Sequence, residues 1–332
     1  MVQGRPNFDR EVERSRLWTQ QMGCTTAEDL NRKIADGSVQ ELIRANEALH
    51  EKEFRCAAEE ICRRNAAIIL VSGPSSSGKT TSAHRLATHL RSLGKNALLL
   101  SLDDYYIDRR LIAPGPDGRL DLEHINTIDT ALFSRHMAAL LAGDQIELPS
   151  FDFKTGKRQW LGRKLTLGQD SVVIVEGLHG LNPLLLKQVK DPDAVFRLYI
   201  TALPSLSADG KLVPGSFLRM LRRIVRDFEG KGTSVQNTLQ MWQSVRQGED
   251  RWIYPYQETA DRIFNSATLY ELPVLKRHIA PLLNTVSPAD PTYPLVLEIQ
   301  KTLGPFLEAD CDAWIPPTSL VREFIGGNSF YE

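Results

Sequence analysis

The sequence predicts an α/β fold, a doubly wound parallel sheet with helical extensions at both ends. Three observations predict it. Short apolar runs of strand length recur at 66–71, 96–101, 171–175, 194–200 and 260–264. Helical patterns separate them, the alternation that builds parallel βαβ units. The first run leads directly into Gly73-Pro74-Ser75-Ser76-Ser77-Gly78-Lys79-Thr80, and a helical face of Ala83, Leu86, Ala87 and Leu90 follows. Strand, glycine-rich turn with G-x-x-x-x-G-K-S/T spacing, and helix together make a P-loop. The predicted architecture is therefore the P-loop nucleoside triphosphate hydrolase fold.

The chemistry of that loop follows from its residues. Glycines at 73 and 78 let the backbone curl so that several N–H groups face one anion. The helix beyond adds the positive end of its dipole. Lys79 is expected to reach the β- and γ-phosphates, and the Thr80 hydroxyl to ligate Mg²⁺. Ser75, Ser76, Ser77 and Thr81 complete the expected ATP-binding set. The loop specifies ATP or GTP; it does not name the second substrate.

Composition narrows the class. The chain has 332 residues, 42% hydrophobic and 24% charged, enough for one large domain with additions. Its net charge of −1 gives no field for nucleic acid or an acidic membrane. Cys24, Cys56, Cys62 and Cys311 form no C-x-x-C pair and have no His partners at zinc spacing, so reduced thiols in a cytoplasmic protein are expected. No apolar run reaches 18 residues, and the polar N-terminus lacks a signal core. The expected partners are small molecules, with neither nucleic acid nor membrane; homo-oligomerisation stays open.

In chain order, residues 1–20 are charged and expected to be loosely held or late to dock. Capping boxes at Thr25-Thr26-Ala27-Glu28 and Ser38-Val39-Gln40-Glu41 start a short and a long helix, the second ending near Arg64. Residues 1–65 thus read as an N-terminal helical extension, 66–286 as the P-loop core and 287–332 as a C-terminal extension. Within the core, 107–121 is a loop and 130–142 a helix. The stretch 146–153 is a strand turning at 154–157, with Lys164–Leu167 as its hairpin partner. A helix dense in arginine, at 219, 222, 223 and 226, follows the fourth core strand.

Ligands of open α/β sheets gather at the carboxyl ends of strands. There the sequence puts Asp103, Asp104, Tyr105 and Tyr106 after the second strand, and Glu176-Gly177 after the third. No Asn-Lys-x-Asp is present for guanine recognition. A small-molecule kinase needs a carboxylate beside the acceptor hydroxyl and arginines over the moving phosphoryl group, and Asp103 and the Arg222–Arg226 cluster meet that need. The four arginines lie at helical spacing on one face, which favours anion contact.

The motifs in order are Gly-Pro-Ser-Ser-Ser-Gly-Lys-Thr-Thr (73–81), Leu-Asp-Asp-Tyr-Tyr (102–106), Leu-Pro-Ser-Phe-Asp-Phe (148–153), Glu-Gly-Leu-His-Gly (176–180), Arg-Arg-Ile-Val-Arg-Asp (222–227) and Ala260-Asp261. With that order and spacing the chain resembles the phosphoribulokinase/uridine kinase family over 66–270, uridine kinase branch. Its flanks, at Glu47–Lys52 and Arg322–Gly327, are similar to a bacterial uridine kinase-like subgroup.

The resemblance implies ATP-dependent phosphorylation of a nucleoside 5′-hydroxyl, with uridine or cytidine as acceptor. It implies Asp103 as general base, and Lys79, Arg223 and Arg226 as phosphoryl-stabilising cations, the two arginines on a lid. It implies Glu176 beside Thr80 at the Mg²⁺ site. Tyr106, Asp121, Glu123, Phe151, Asp152, Arg158 and Lys231 fall at substrate-contacting positions. His179 is read as a loop histidine, since Asp103 already fills the base position.

Departures bear on the acceptor. Glu123-His124-Ile125 stands where the family carries Asp-His-Pro for the ribose hydroxyls, with Asp121 a nearby substitute. Gly156 stands for the histidine, and Phe151 for the tyrosine, that meet the base. A pocket without polar contacts to the base cannot reject strongly on it. Two other readings therefore stay open: a kinase of another small alcohol (a sugar, sugar phosphate or pantothenate-like molecule) and a nucleotide-binding regulatory module. The C-terminal tail with Gly326-Gly327 is expected to dock on the core and tune stability or the lid.

Overall fold

The structure is a computed structural model describing residues 5–112, 121 and 123–330, with the side chain of Lys231 outside the description. Its centre is a five-stranded parallel sheet. The strands are β1 (Ile68–Ser72), β2 (Asn96–Ser101), β5 (Ser171–Glu176), β6 (Val195–Thr201) and β9 (Arg262–Asn265), in spatial order β2-β5-β1-β6-β9. All five expected core strands are present, each within two residues of its predicted start. β1 lies in the middle, so the loop that leaves it sits over the centre of the sheet edge.

Alternation along β1 assigns its two faces. Ile69 and Val71 pack against Phe54 and Ile61 of α3 (Val39–Arg64) and Leu86 and Leu90 of α4 (Lys79–Ser92). Ile68 and Leu70 face the opposite layer, with Phe133, Met137 and Leu140 of α5 (Thr130–Leu141). A strand buried on both faces reads as an unbroken apolar run, which is why periodicity could locate it. The hairpin β3 (Ile146–Asp152) and β4 (Lys157–Leu165) stands beside this sheet. β4 begins directly after the turn, seven residues before the expected Lys164, because Phe151 pairs with Arg158 and Asp152 with Lys157. The Pro/Gly-rich loop expected at 107–121 lies mostly outside the described residues.

The N-terminal segment is not loosely held. It is a docked helix, α1 (Pro6–Gln21). Glu258 accepts hydrogen bonds from Asn7 N and Phe8 N at 3.0 Å, satisfying two donors of the helix start, and Arg14 pairs with Glu53 at 2.7 Å. The capping box of α2 (Ala27–Ala35) is one residue further on than read, with Thr26 as cap and Asp29 as reciprocal acceptor. Ser38 makes no side-chain cap to α3, since its own backbone is already helical.

The third layer is helical. A small two-stranded ribbon, β7 (Ser207–Ala208) and β8 (Lys211–Leu212), leads into α6 (Gly215–Lys231) and α7 (Val235–Trp252). Then come α8 (Glu271–Leu283), α9 (Tyr293–Leu303) and a last short turn, α10 (Arg322–Ile325). Leu30 and Leu42 from the N-terminal helices share one core with Leu221, Leu275, Ile299, Phe306 and Val321. Among the described residues no helix is long and apolar enough to cross a membrane, and the four cysteines are unbridged.

Candidate active site

The site begins with the loop between β1 and α4. Gly73 has φ +155, and a Cβ there would lie 2.1 Å from the Ile200 carbonyl oxygen, so only glycine lets β1 turn so close to β6. Ser76 takes a left-handed φ of +56, and Gly78 one of +91. The Lys79 ammonium donates to Pro74 O at 3.0 Å, folding back over the loop. Burial pushes its pKa down, while Glu176, Glu323 and Asp103 hold it up. Ser76 Oγ and Ser77 Oγ are buried and have no hydrogen-bond partner.

Sheet register supplies the carboxylates. Ser101 at the end of β2 pairs with Glu176 at the end of β5, and Val71 of β1 pairs with the same Glu176. Ser101 Oγ donates to Glu176 Oε1 at 3.2 Å and accepts from Asp103 N at 3.2 Å, starting the one-turn helix that carries Asp103. Burial, with Asp103 as a like charge, pushes the Glu176 pKa up to about 7. Burial also raises Tyr106, which feels Asp103 and Glu123. Glu123 is raised by burial and drawn down by Arg223 and Lys79. These mutual influences put Lys79, Asp103, Glu176, Tyr106, Glu123 and Arg223 in one electrostatic cluster, with Asp121 tied to it through the Glu123 N–H to Asp121 Oδ1 bond of 3.1 Å.

The arginine helix divides into two parts. Arg219 and Arg222 are buried and spent on Glu249 and Glu271, both through paired hydrogen bonds. Each also reaches the loop: Arg219 donates to Ser75 O at 2.8 Å and Arg222 to Ser76 O at 3.3 Å. The single anion-facing surface expected of all four arginines is thus corrected, because two of them brace the loop from behind. Arg223 donates to Ser75 Oγ at 2.8 Å, and Arg226 to Asp227 at 2.8 Å. Arg226 shares a cavity with Thr80.

Two expected substrate residues are not brought to the cluster. Asp152 closes the hairpin turn, accepting from Lys154 N, Thr155 N and Thr155 Oγ1, and it is half-buried. Arg158 is consumed as a brace, donating to Tyr106 O, Tyr105 O and Asp129. Phe151 does join, with its ring 5.4 Å from that of Tyr106. The Lys231 side chain lies outside the described residues.

Other residues also build the site: Glu249 and Gly248 lie in no quoted motif, and Phe153, His179 and Glu323 lie in quoted stretches that assigned them no site contact. Glu249 of α7 accepts from Ser75 N at 3.0 Å, across 174 positions of sequence. Gly248 lets α7 approach Glu123, since a Cβ there would lie 2.6 Å from Glu123 Cβ. Phe153, more than half exposed, completes an aromatic trio with Tyr106 and Phe151. His179 is buried and held neutral, its pKa pushed down to about 4 by burial. Glu323, from the tail, accepts from Thr81. Each depends on contacts distant in sequence; an acid or glycine inside a helical pattern gives no local signal.

A P-loop, strand-end carboxylates and arginines over the loop are the parts of a phosphoryl-transfer site. Comparison with known proteins agrees. A uridine kinase of Staphylococcus aureus (strain JH9) is 28% identical over 197 residues, covering 59% of this chain and 86% of that protein. A structure described as a fructose transport system kinase from Silicibacter sp. TM1040 shares the fold with a TM-score of 0.50 at 21% identity, covering 64% of this chain and 98% of that one. The family model described as Phosphoribulokinase / Uridine kinase family matches residues 68–272. The chain belongs to that family of P-loop kinases.

Proposed function

We propose that the chain transfers the terminal phosphoryl group of ATP, with Mg²⁺, to the 5′-hydroxyl of a nucleoside, uridine or cytidine. The observation that carries this reading is the cluster of Asp103, Lys79, Glu176, Tyr106, Glu123 and Arg223 at the carboxyl edge of β1, β2 and β5. Phosphoryl transfer asks chiefly for positioning and for charge compensation. Asp103 accepts the hydroxyl proton. Lys79, Arg223 and Arg226 offset charge on the moving phosphoryl group. Glu123, with Asp121 beside it, receives the sugar hydroxyls, while Tyr106 and Phe151 form an apolar wall.

The residues fit Mg²⁺. Thr80 and Glu176 offer the hard oxygen donors it takes, and Glu176 beside Asp103 is a crowded carboxylate that a cation relieves. Mg²⁺ keeps several of its waters and bridges to phosphate, so two protein donors are enough to place it. When bound, the ion would neutralise phosphate charge.

One observation favours a second reading, a kinase of another small alcohol. The hairpin meets the acceptor side with Phe151, while Asp152 and Arg158 are engaged elsewhere and Gly156 is a turn residue with φ +67. Neither Asp152 nor Arg158 is thereby left to read a base. The test is a panel of nucleosides, sugars and pantothenate, with ADP release and product mass followed. Turnover on uridine or cytidine that falls about 10²–10⁴-fold in Asp103→Asn is the expected result. Turnover confined to a non-nucleoside alcohol selects the second reading, and ATP binding with no turnover on any acceptor overturns both.

A further inference from the structure

The C-terminal tail lies outside the matched family region of 68–272, yet it sits on the phosphate-binding loop. α4 begins with N–H groups that no residue within the helix can accept. Ser82 N is already bonded to Gly78 O at 3.0 Å, so the Thr81 N–H is the last of these. Thr81 N and Thr81 Oγ1 donate to Glu323 Oε2, at 3.2 and 2.7 Å. Asn328 Nδ2 donates to Thr81 Oγ1 at 3.3 Å. The tail is well anchored behind this contact. Phe324 is buried beneath the Arg222 guanidinium, 4.9 Å away, and Leu320 packs against Gly78.

A carboxylate here is chemically telling. The N-terminus of a helix favours an anion, and in a P-loop that anion is a nucleotide phosphate. One carboxylate oxygen and one phosphate oxygen cannot both take the Thr81 donors. Beside the same contact, between the tail and α6, lies a cavity of about 670 Å³. It is lined by Thr80, Arg226, Gly230, Gly326, Gly327 and Asn328. That volume suits a nucleotide-sized ligand. With Lys79 and Thr80 serving the β- and γ-phosphates and their Mg²⁺, the remaining phosphate and the nucleoside beyond it would fall toward Thr81, beside this cavity.

We infer that the tail completes the donor-nucleotide site: the nucleoside end of the triphosphate occupies the cavity beside Gly326-Gly327, and its phosphate takes over the Thr81 donors that Glu323 holds. The inference rests on the phosphate-binding role of the loop. Glu323 then acts as an internal competitor that lowers triphosphate affinity, and the tail supplies the selectivity for a nucleotide over a bare polyphosphate.

The test titrates the full chain with magnesium ATP and with magnesium tripolyphosphate by calorimetry, for wild type, Glu323→Gln and Gly230→Leu. An added Cβ at Gly230 meets nothing within 4 Å, and leucine is the better helix former, so this variant fills cavity space without straining α6. Thermal melting checks that both variants fold. Glu323→Gln is expected to bind both ligands several-fold more tightly. Gly230→Leu is expected to bind ATP about tenfold more weakly with tripolyphosphate unchanged. Unchanged or weaker binding in Glu323→Gln overturns the inference. So does a Gly230→Leu variant that spares ATP or weakens both ligands alike. If wild type binds neither ligand, the phosphate-loop reading falls and the inference with it; binding of both with no response to the variants overturns the inference alone.

Discussion

Glu176 is the residue on which sheet and site press hardest. Its carboxyl is buried at the end of β5 beside Asp103, and its pKa rises from 4.5 to about 7. The sign of the consequence follows from proton binding. Between those values the folded chain holds a proton that the unfolded chain has released, so stability falls as pH rises through this window. Glu176→Gln removes that contribution. Thermal melting from pH 4.5 to 8 should show a shallower decline in the variant, with the largest stabilisation over wild type above pH 7. Equal slopes in the two proteins would show that folding does not raise the Glu176 pKa. Gly248 is the second telling residue. A methyl group there would lie 2.6 Å from Glu123 Cβ, so Gly248→Ala must move α7 or the Glu123 segment. The expected effect is a rise of about tenfold in the acceptor KM with little change for ATP, read from steady-state kinetics.

At the scale of elements, α6 holds the phosphate loop in shape. Arg222 and Glu271 are both fully buried, and their paired bonds leave further arginine donors for Ser266 and the Ser76 carbonyl. Cutting one partner strands a buried charge. Arg222→Ala should therefore cost about 3–5 kcal/mol in denaturant unfolding, whereas Arg222→Met combined with Glu271→Met should recover much of that loss. A single variant as stable as wild type would mean that water reaches Glu271. The helix was legible as a helix, and its arginines as a cluster, from spacing alone. Which arginines face the loop's interior was not legible, because their partners Glu249 and Glu271 come from α7 and α8, about 30 and 49 positions further along.

At the scale of the whole molecule, both extensions are built into the core. Leu320, Val321 and Phe324 are almost fully buried, and Leu30 and Leu42 lie in the cluster that also holds Val321. Deleting the chain after Pro317 exposes that surface. At about 1.5–3 kcal/mol for each large apolar side chain, the truncated protein should melt well below wild type, as calorimetry would record. An unchanged melting temperature would show the tail to be dispensable. The docked α1 belongs to the same account: Glu258 takes the first backbone N–H groups of this charge-rich helix, and Glu53 pairs with its Arg14.

Sequence by itself determined the parallel sheet, the P-loop and the strand-end acids. Each is a local pattern: apolar runs, glycines at fixed offsets, polar residues where a run stops. Tertiary structure alone decided how the side chains are used. It turned Asp152 into a turn closure and Arg158 into a brace, divided the arginine helix, and brought Glu323 from the far end of the chain onto Thr81. The physical reason is the same in each case. A charged side chain is committed by the partner that meets it on burial, and that partner lies at a sequence distance no periodicity encodes.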